Sequence, residues 1–220
     1  MPDSDDVAQY FTRSATTFDA LYSQEKLPSL VRFLNRRFRR DIYERFTLTT
    51  NHIRKHNLKT ILDVGCGPGR YAHALAQAGA TRIVGLDVSE KMIELATARN
   101  SALNALGCSV ALVCSDFMEF RTNETFDTVL AMGFFDYVKD ALPALNRMRP
   151  LATHSVIASF PSISWYRTPT RKLRYYFKGC PVYFYKRSDI ESLGVRAGFS
   201  SVAIRKIEGA GQDYFATFSE

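Results

Sequence analysis

A glycine-rich turn between two acidic residues is the part of this sequence best suited to chemistry. Residues 61–64 form a short apolar run that carries Asp63 and is typical of a buried strand. Gly65, Gly67 and Gly69 follow at alternate positions, and a helical pattern begins after them. Because glycine has no Cβ, such a turn can be tight and its backbone can approach a ligand closely. The next helix directs its first N–H groups at the same place. The pattern predicts a site for a nucleoside cofactor with a polar tail.

Asp87 strengthens this interpretation through its distance from the turn. Residues 82–87 are typical of the next strand and end in Asp87. This position lies roughly 20 residues past the glycines, where a carboxylate can accept hydrogen bonds from both ribose hydroxyls. The glycine spacing G-x-G-x-G differs from the G-x-G-x-x-G of dinucleotide-binding enzymes, which disfavours a nicotinamide dehydrogenase. A turn that uses glycine only for packing would leave Asp87 unexplained.

Four segments, in this order, resemble motifs of the class I S-adenosylmethionine-dependent methyltransferases. Residues 62–69 are similar to the family's first motif and residues 85–89 to its second-strand motif. Residues 114–117 resemble the acidic position after the third strand, and residues 126–132 resemble the fourth strand. The resemblance begins at about residue 58, runs to the end of the chain and implies an α/β, Rossmann-like fold. Its seven-stranded sheet would have the order 3-2-1-4-5-7-6, with the last strand antiparallel and helices on both faces.

The resemblance implies that S-adenosyl-L-methionine binds at the carboxyl edge of the strands and leaves as S-adenosyl-L-homocysteine. Asp87 would accept the ribose hydroxyls and Asp116 the adenine amino group, while Asp63 would orient the turn or take the methionine ammonium through water. Met132 and Gly133 would flank the sulfonium. The full set of expected cofactor-binding residues is Asp63, Gly65, Cys66, Gly67, Gly69, Asp87, Val88, Met92, Asp116, Phe117, Met132 and Gly133.

Three of these residues also have ordinary structural explanations. Met92 could simply fill the core, which explains a methionine on a helix better than contact with adenine does. Asp116 could be a turn aspartate. Asp87 could cap the helix that follows, although Ser89 is better placed for that role.

The candidate catalytic residues are Asp136 and Tyr137, which lie just past the fourth strand. Methyl transfer from a sulfonium is an in-line displacement that depends on positioning and needs no metal. A base helps only when the nucleophile carries a proton. Asp136 could equally cap a helix expected from there to Met148. The histidines His52, His56 and His154 are expected at the opposite edge of the sheet.

An acceptor pocket is expected between the N-terminal aromatic residues and a cap formed by residues 161–185. That segment is rich in proline, tyrosine and arginine, and it is too long for a simple connection. The candidate pocket residues are Tyr10, Phe18, Tyr22, Tyr166, Arg167, Tyr176 and Tyr183. Aromatic residues mixed with arginines predict a small, planar or apolar acceptor that carries an acidic group.

The length of 220 residues predicts one domain with appendages. We expect a helical extension or lid over residues 1–56 and a cofactor domain over residues 57–220. Apolar residues at every fourth position from Leu30 to Phe46 predict a basic amphipathic helix, which could pack on the core or contact a membrane surface. A further helix is expected over residues 47–56. Near the end of the chain, a capping box at Ser188 predicts a helix that a strand hairpin follows.

The composition indicates where in the cell the protein is expected and whether it binds zinc. No run of about 18 apolar residues is present and the acidic N-terminus lacks the features of a secretory signal, so a cytoplasmic protein is expected. Four scattered cysteines predict reduced thiols and no zinc site. The sequence leaves the oligomeric state open.

These observations predict methyl transfer to an oxygen or nitrogen of a small acceptor. An RNA methyltransferase is the alternative, because the net charge is +7 and arginines and lysines concentrate in residues 32–45 and 167–187. Against it, the signature of amino-methylating nucleic-acid enzymes, two prolines and an aromatic residue, is missing after the fourth strand. A non-catalytic binding protein is disfavoured by the intact cofactor motifs.

Overall fold

A computed structural model describes residues 9, 10, 12, 40–163, 182–207 and 213–220. Strands and helices alternate along the chain, as the sequence predicts, and a hairpin of strands ends it. The elements, in chain order, are α1 (Arg40–His56), β1 (Thr60–Val64), α2 (Arg70–Gln77), β2 (Arg82–Asp87), α3 (Glu90–Asn100), β3 (Ser109–Cys114), β4 (Phe126–Ala131), α4 (Ala141–Met148), β5 (Ala152–Phe160), α5 (Arg187–Arg196), β6 (Ser201–Lys206) and β7 (Tyr214–Ser219). Short 3-10 turns follow α3 and α4, at Leu103–Leu106 and Arg149–Leu151.

The strands form one seven-stranded sheet in the order β3-β2-β1-β4-β5-β7-β6, which confirms the predicted topology. The first five strands run parallel, and β7 pairs antiparallel with both β5 and β6. The central strands are almost wholly buried because the sheet is covered on both faces. Their carboxyl ends therefore meet at one edge, where the predicted site residues follow them.

Helix α1 continues without a break across residues 46 and 47, so the prediction of two separate helices there is wrong for the described part of the chain. Phe46 stacks on Tyr71 of α2 with ring centroids 4.0 Å apart, and Ile53 is fully buried. Because its side chains pack on both sides of the predicted boundary, nothing favours a break. Arg45 and His52 contact Ser159 and Ser155 respectively, which shows that α1 runs antiparallel to β5.

Two helix starts differ from the sequence prediction. Helix α4 begins at Ala141 because the carboxylate of Asp140 accepts the backbone N–H of Leu142 at 3.1 Å; Asp136 is not its cap. Helix α5 begins at Arg187 because Asp189 accepts the backbone N–H of Lys186 at 2.8 Å. Lys186, and not Ser188, is thus the N-cap. In both places, the sequence offers two neighbouring side chains that could accept a hydrogen bond at the start of the helix, Asp136 or Asp140 for α4 and Ser188 or Asp189 for α5. Only the three-dimensional geometry decides between them.

Within the described residues, no helix is long and apolar enough to cross a bilayer. Cys66 and Cys108 are buried free thiols and Cys114 is an exposed one. Over the same residues, no group of histidine, cysteine and acidic side chains is arranged to hold a metal ion.

Gly194 lets helix α5 lie directly on β6 and β7. A Cβ at this position would lie 2.4 Å from Cγ2 of Val202 and 3.0 Å from Cδ1 of Phe218, a side chain that is fully buried. We expect Gly194→Ala to lower the free energy of unfolding by about 1–2 kcal/mol, because overpacking outweighs the gain in helix propensity. Urea denaturation measures the change. Ser192→Ala, on the exposed side of the same helix, is the control and should leave stability within about 0.5 kcal/mol. A Gly194→Ala variant as stable as the wild type would contradict this packing.

Candidate functional site

The glycine turn after β1 is held open toward the carboxyl edge of the sheet. Gly65, Gly67 and Gly69 all have positive φ angles, of 71°, 54° and 66°, which side chains rarely allow. The N–H of Cys66 donates to the carbonyl of Leu86 at 2.8 Å and fastens the turn to β2. A Cβ on Gly67 would meet no atom within 4 Å, and Gly65 is exposed. The backbone of these two glycines is therefore accessible to a ligand.

Gly69 has a different role, because it packs against helix α3. A Cβ there would lie 2.2 Å from Nδ2 of Asn100 and 2.9 Å from Cβ of Ala96. The Asn100 amide donates to the carbonyl of Gly69 at 3.0 Å, and Arg99 donates to the carbonyl of Pro68 at 2.5 Å. The sequence analysis missed both residues, which hold the turn from 31 positions away. A polar residue in the buried stripe of α3 was the available signal for Asn100.

Asp87 ends β2 and holds two backbone N–H groups from opposite sides. Its Oδ2 accepts the N–H of Gly67 at 2.8 Å and its Oδ1 accepts the N–H of Ser89 at 2.9 Å. Each oxygen keeps a second lone pair, so the carboxylate can still accept from a pair of hydroxyls. Burial raises the pKa of Asp87, whereas the N–H donors lower it. Ser89 accepts the N–H of Met92 at 3.4 Å and is the N-cap of α3, as predicted.

Asp63 lies beneath the turn and is only 3% exposed. Burial, and next the charge of Asp87, raise its pKa from 3.8 to about 7. Burial also raises the pKa of the Cys66 thiol. A cation bound at this edge would favour the ionised form of Asp63, because an opposite charge offsets the cost of burial.

The remaining predicted cofactor residues divide into accessible and interior positions. Val88 is half-buried beside Asp87. Met92 is 1% exposed and Phe117 is 3% exposed, so the structure places both side chains in the interior. Asp116 is half-buried, and its Oδ1 accepts the N–H of Met118 at 2.7 Å, as a turn aspartate does.

The exit of β4 opens toward the same edge. Met132 is half-buried, and Gly133 has a φ angle of 83° with no atom within 4 Å of where a Cβ would be. The N–H of Gly133 donates to the hydroxyl of Ser159 on β5 at 2.8 Å. Phe134 packs against Gly65, with Cδ2 3.4 Å from a Cβ built on that glycine.

Residues 182–185 cross the loops that follow β4 and β5. The N–H of Tyr183 donates to the carbonyl of Asp136 at 2.9 Å, and the N–H of Tyr185 donates to the carbonyl of Pro161 at 2.8 Å. The Tyr185 hydroxyl donates to the carbonyl of Val138 at 2.8 Å. Burial and then the charge of Asp136 raise the pKa of Tyr185. These contacts bring Asp136, which is 6% exposed, and the half-buried Tyr137 and Tyr183 to one place.

Of the other predicted pocket residues, the structure describes Tyr10 alone. Tyr10 is half-buried, and the neighbouring Thr12 places Oγ1 at 3.1 Å from Oγ of Ser89, close to Asp87. Thr12 thus lies on the β2 side of the site. The remaining predictions, Phe18, Tyr22, Tyr166, Arg167 and Tyr176, lie outside the described residues.

The excluded histidines do lie away from this edge, where α1 ends and β5 begins. The rings of His52, His56 and His154 form a cluster with centroids 4.5–5.7 Å apart. Burial, and next the charge of His56, lower the pKa of His52 to about 4. This cluster belongs to the packing of α1 on the sheet.

Comparisons with known proteins agree with this geometry. The family described as "Methyltransferase domain" matches residues 61–153. The ubiquinone biosynthesis O-methyltransferase of Actinobacillus pleuropneumoniae is 30% identical over 110 residues, which are 48% of this chain and 46% of that protein. The magnesium-protoporphyrin O-methyltransferase of Synechocystis is 28% identical over 146 residues, which are 64% of this chain and 62% of that one. A tRNA U34 carboxymethyltransferase of Shewanella is 32% identical over 105 residues, which are 44% of this chain and 29% of that one.

The chain spans about half the length of the curated relatives it matches. Among solved structures, magnesium protoporphyrin IX methyltransferase from Synechocystis with bound S-adenosylhomocysteine superposes with a TM-score of 0.80. The alignment covers 99% of this chain and all of that one at 22% identity, a likeness that shows the fold. The sequence motifs, the strand order and the domain match over residues 61–153 agree with one another, and all three are typical of class I S-adenosylmethionine-dependent methyltransferases.

Proposed function

We propose that this protein binds S-adenosyl-L-methionine at the carboxyl edge of the sheet and transfers its methyl group to an oxygen of a small acceptor. The observation that carries the proposal is the carboxylate of Asp87, which two backbone N–H groups fix beside the open turn at Gly67. The O-methyltransferase relatives favour oxygen over nitrogen. The acceptor class, aromatic or anionic, rests on the composition of the cap.

The residues present fit this cofactor. Gly67 and Gly133 leave space where any side chain would intrude, and Asp87 retains lone pairs for the ribose hydroxyls. Asp63 and Asp87 place negative charge beside a ligand that carries a sulfonium and an ammonium. Asp116 has its Oδ2 left for the adenine amino group, since Oδ1 holds the turn. Met132 and Gly133 would lie beside the sulfonium.

The cofactor supplies an activated methyl group, so the protein chiefly holds the two reactants at near-attack distance. Well-oriented reactants can lower a barrier by roughly 7–11 kcal/mol. We expect Asp136 to accept the proton of an acceptor hydroxyl and Tyr137 to orient that hydroxyl, because both follow β4 at this edge. The strap at residues 182–185 would exclude water from the acceptor side through its bonds to the neighbouring loops.

Methylation of RNA is the second candidate, because a tRNA-modifying enzyme is among the relatives. The described part of the basic segments gives it little support. Arg45 is largely buried in an ion pair with Asp213, and Arg187 pairs with Glu191 at 2.9 Å. Neither guanidinium is left as an unpaired cation for phosphates, so the small acceptor remains the preferred function.

Removing the Asp87 carboxylate tests the cofactor site directly. We expect Asp87→Ala to weaken S-adenosylhomocysteine binding by about 100-fold or more, because two charge-assisted hydrogen bonds of about 1.5–3 kcal/mol each are lost. Isothermal titration calorimetry measures the affinity. The control is Asp189→Ala, which also removes a carboxylate from the start of a helix but at the exposed end of α5. Wild-type affinity in Asp87→Ala would refute the assignment.

The raised pKa of Asp63 predicts pH-dependent binding. Below pH about 7 the buried carboxyl is mostly protonated, so the affinity for the cationic S-adenosylmethionine should rise as the pH increases toward 7 and level off above it. Asp63→Asn should show no such rise in calorimetric titrations between pH 5.5 and 8.5, an interval of about 1.5 units on each side of that pKa. In the absence of ligand, the same raised pKa affects folding stability with the opposite dependence on pH. The stabilising effect of the protonated group is present below pH 3.8 and is lost as the pH rises to about 7. If the affinity of Asp63→Asn still rises with pH, the titration of another group is responsible.

The acceptor class is tested by measuring S-adenosylhomocysteine release in the presence of candidate compounds. Magnesium protoporphyrin IX, small hydroxylated aromatic acids and bulk tRNA represent the classes in question. We expect turnover with one of the small molecules and none with tRNA. Asp136→Asn should lower the turnover number by about 100-fold, the typical loss of a proton acceptor, while S-adenosylhomocysteine affinity is retained. Turnover with tRNA alone would establish the second candidate function instead.

A further inference from the structure

Arg45 is a largely buried arginine whose side chain extends from helix α1 to the carboxyl edge of the sheet. Its Nη2 forms an ion pair with Oδ2 of Asp213, just before β7, and its Nη1 donates to the hydroxyl of Ser159 at 3.3 Å. The side chains of Arg45 and Asp213 are 13% and 2% exposed. A charged pair this deeply buried needs its partners in fixed places, because an uncompensated charge would be costly there.

Ser159 connects this ion pair to the backbone that follows β4. Its side chain is fully buried, and its hydroxyl oxygen accepts both from Arg45 and from the backbone N–H of Gly133 at 2.8 Å. Two donors that converge on one oxygen fix where that oxygen lies. The chain of contacts therefore runs from Asp213 through Arg45 and Ser159 to the peptide between Met132 and Gly133.

That peptide, which directly follows β4, would face the reacting sulfonium. Gly133 has a φ angle of 83°, and the place where a Cβ would be is open. Its N–H is already bonded to Ser159, so the peptide's contribution to the site is its position and the direction of the Met132 carbonyl. A small shift of this peptide would change the surroundings of the sulfonium while leaving the ribose end at Asp87 unaltered.

We propose that Arg45 is a positioning residue for methyl transfer, which acts through Ser159 to fix the Met132–Gly133 peptide beside the methyl-bearing sulfur of the cofactor. The proposal rests on the cofactor site put forward above. It assigns a role to α1, which lies outside the segment that matches the methyltransferase domain. The guanidinium suits this role because its planar fork can hold a carboxylate and a hydroxyl at the same time, whereas a lysine ammonium is a single point.

The test compares the affinities of S-adenosylmethionine and S-adenosylhomocysteine, which differ only by the methyl group and the charge on sulfur. Calorimetry gives both affinities for the wild type, Arg45→Lys, Ser159→Ala and the double variant. Arg45→Lys keeps a positive charge for Asp213 but loses the fork. Ser159→Ala leaves the ion pair intact and removes the link to Gly133. We expect each single variant to change the ratio of the two affinities by about fivefold. The double variant should change this affinity ratio no further, because both substitutions interrupt the same chain of contacts from Arg45 to Gly133.

Arg205→Gln is the matched control. Arg205 on β6 pairs with Glu44, the neighbour of Arg45 on α1, at 3.4 Å, and the Arg205 side chain is 65% exposed. It should leave the affinity ratio unchanged, and thermal unfolding reports any loss of stability in each variant. A purely structural role would lower the melting temperature and weaken both ligands equally. Arg45→Lys and Ser159→Ala variants with the wild-type ratio would therefore overturn the proposal. A wild-type protein that binds neither ligand would overturn the cofactor site itself, and the proposal with it.

Discussion

The carboxylate of Asp87 is the interaction on which the rest of the site depends. It joins three elements: the end of β2, the glycine turn through Gly67 and the start of α3 through Ser89. Because the backbone N–H groups are in place before any ligand arrives, the carboxylate does not have to reorganise on binding. Burial alone would favour its protonated form, and the N–H donors oppose this effect. The same contacts that close the fold thus preserve an acceptor for hydroxyl groups.

The three glycines of the turn meet different physical demands, although the sequence shows them as one motif. Gly67 leaves open space on the ligand side, whereas Gly69 permits close contact with α3 and with the amide of Asn100. One substitution would therefore fill the site and the other would push a helix away. A turn of this kind has no regular hydrogen-bond ladder of its own, so long-range side chains hold it, and Arg99 and Asn100 do so from the last turn of α3.

Local patterns predicted the strands, their order and the edge at which the site residues lie, because apolar runs and glycine spacing are properties of short segments. They failed at helix starts, where Asp140 caps in place of Asp136, since neighbouring acidic residues look alike in sequence. They also missed the path from Arg45 to Ser159, which joins residues 114 positions apart. The charge pattern predicted that Arg45 belongs to a basic surface cluster. Its partner Asp213 lies 168 positions away in sequence, so the pattern gave no sign that their ion pair is largely buried.

The residues of the proposed site fall into two groups along the chain. Asp63, the glycine turn, Asp87 and the exit of β4 all lie within residues 61–153, the segment that matches the methyltransferase domain. Arg45, Ser159 and Asp213, which brace the exit of β4, and the strap at residues 182–185 lie outside it. A fold that keeps most of its cofactor contacts in one continuous segment can change its acceptor by changing parts of the flanks. The curated relatives differ in the substrates that their names give. Under the proposed function, we expect the flanking residues to contribute to the choice of acceptor in this protein.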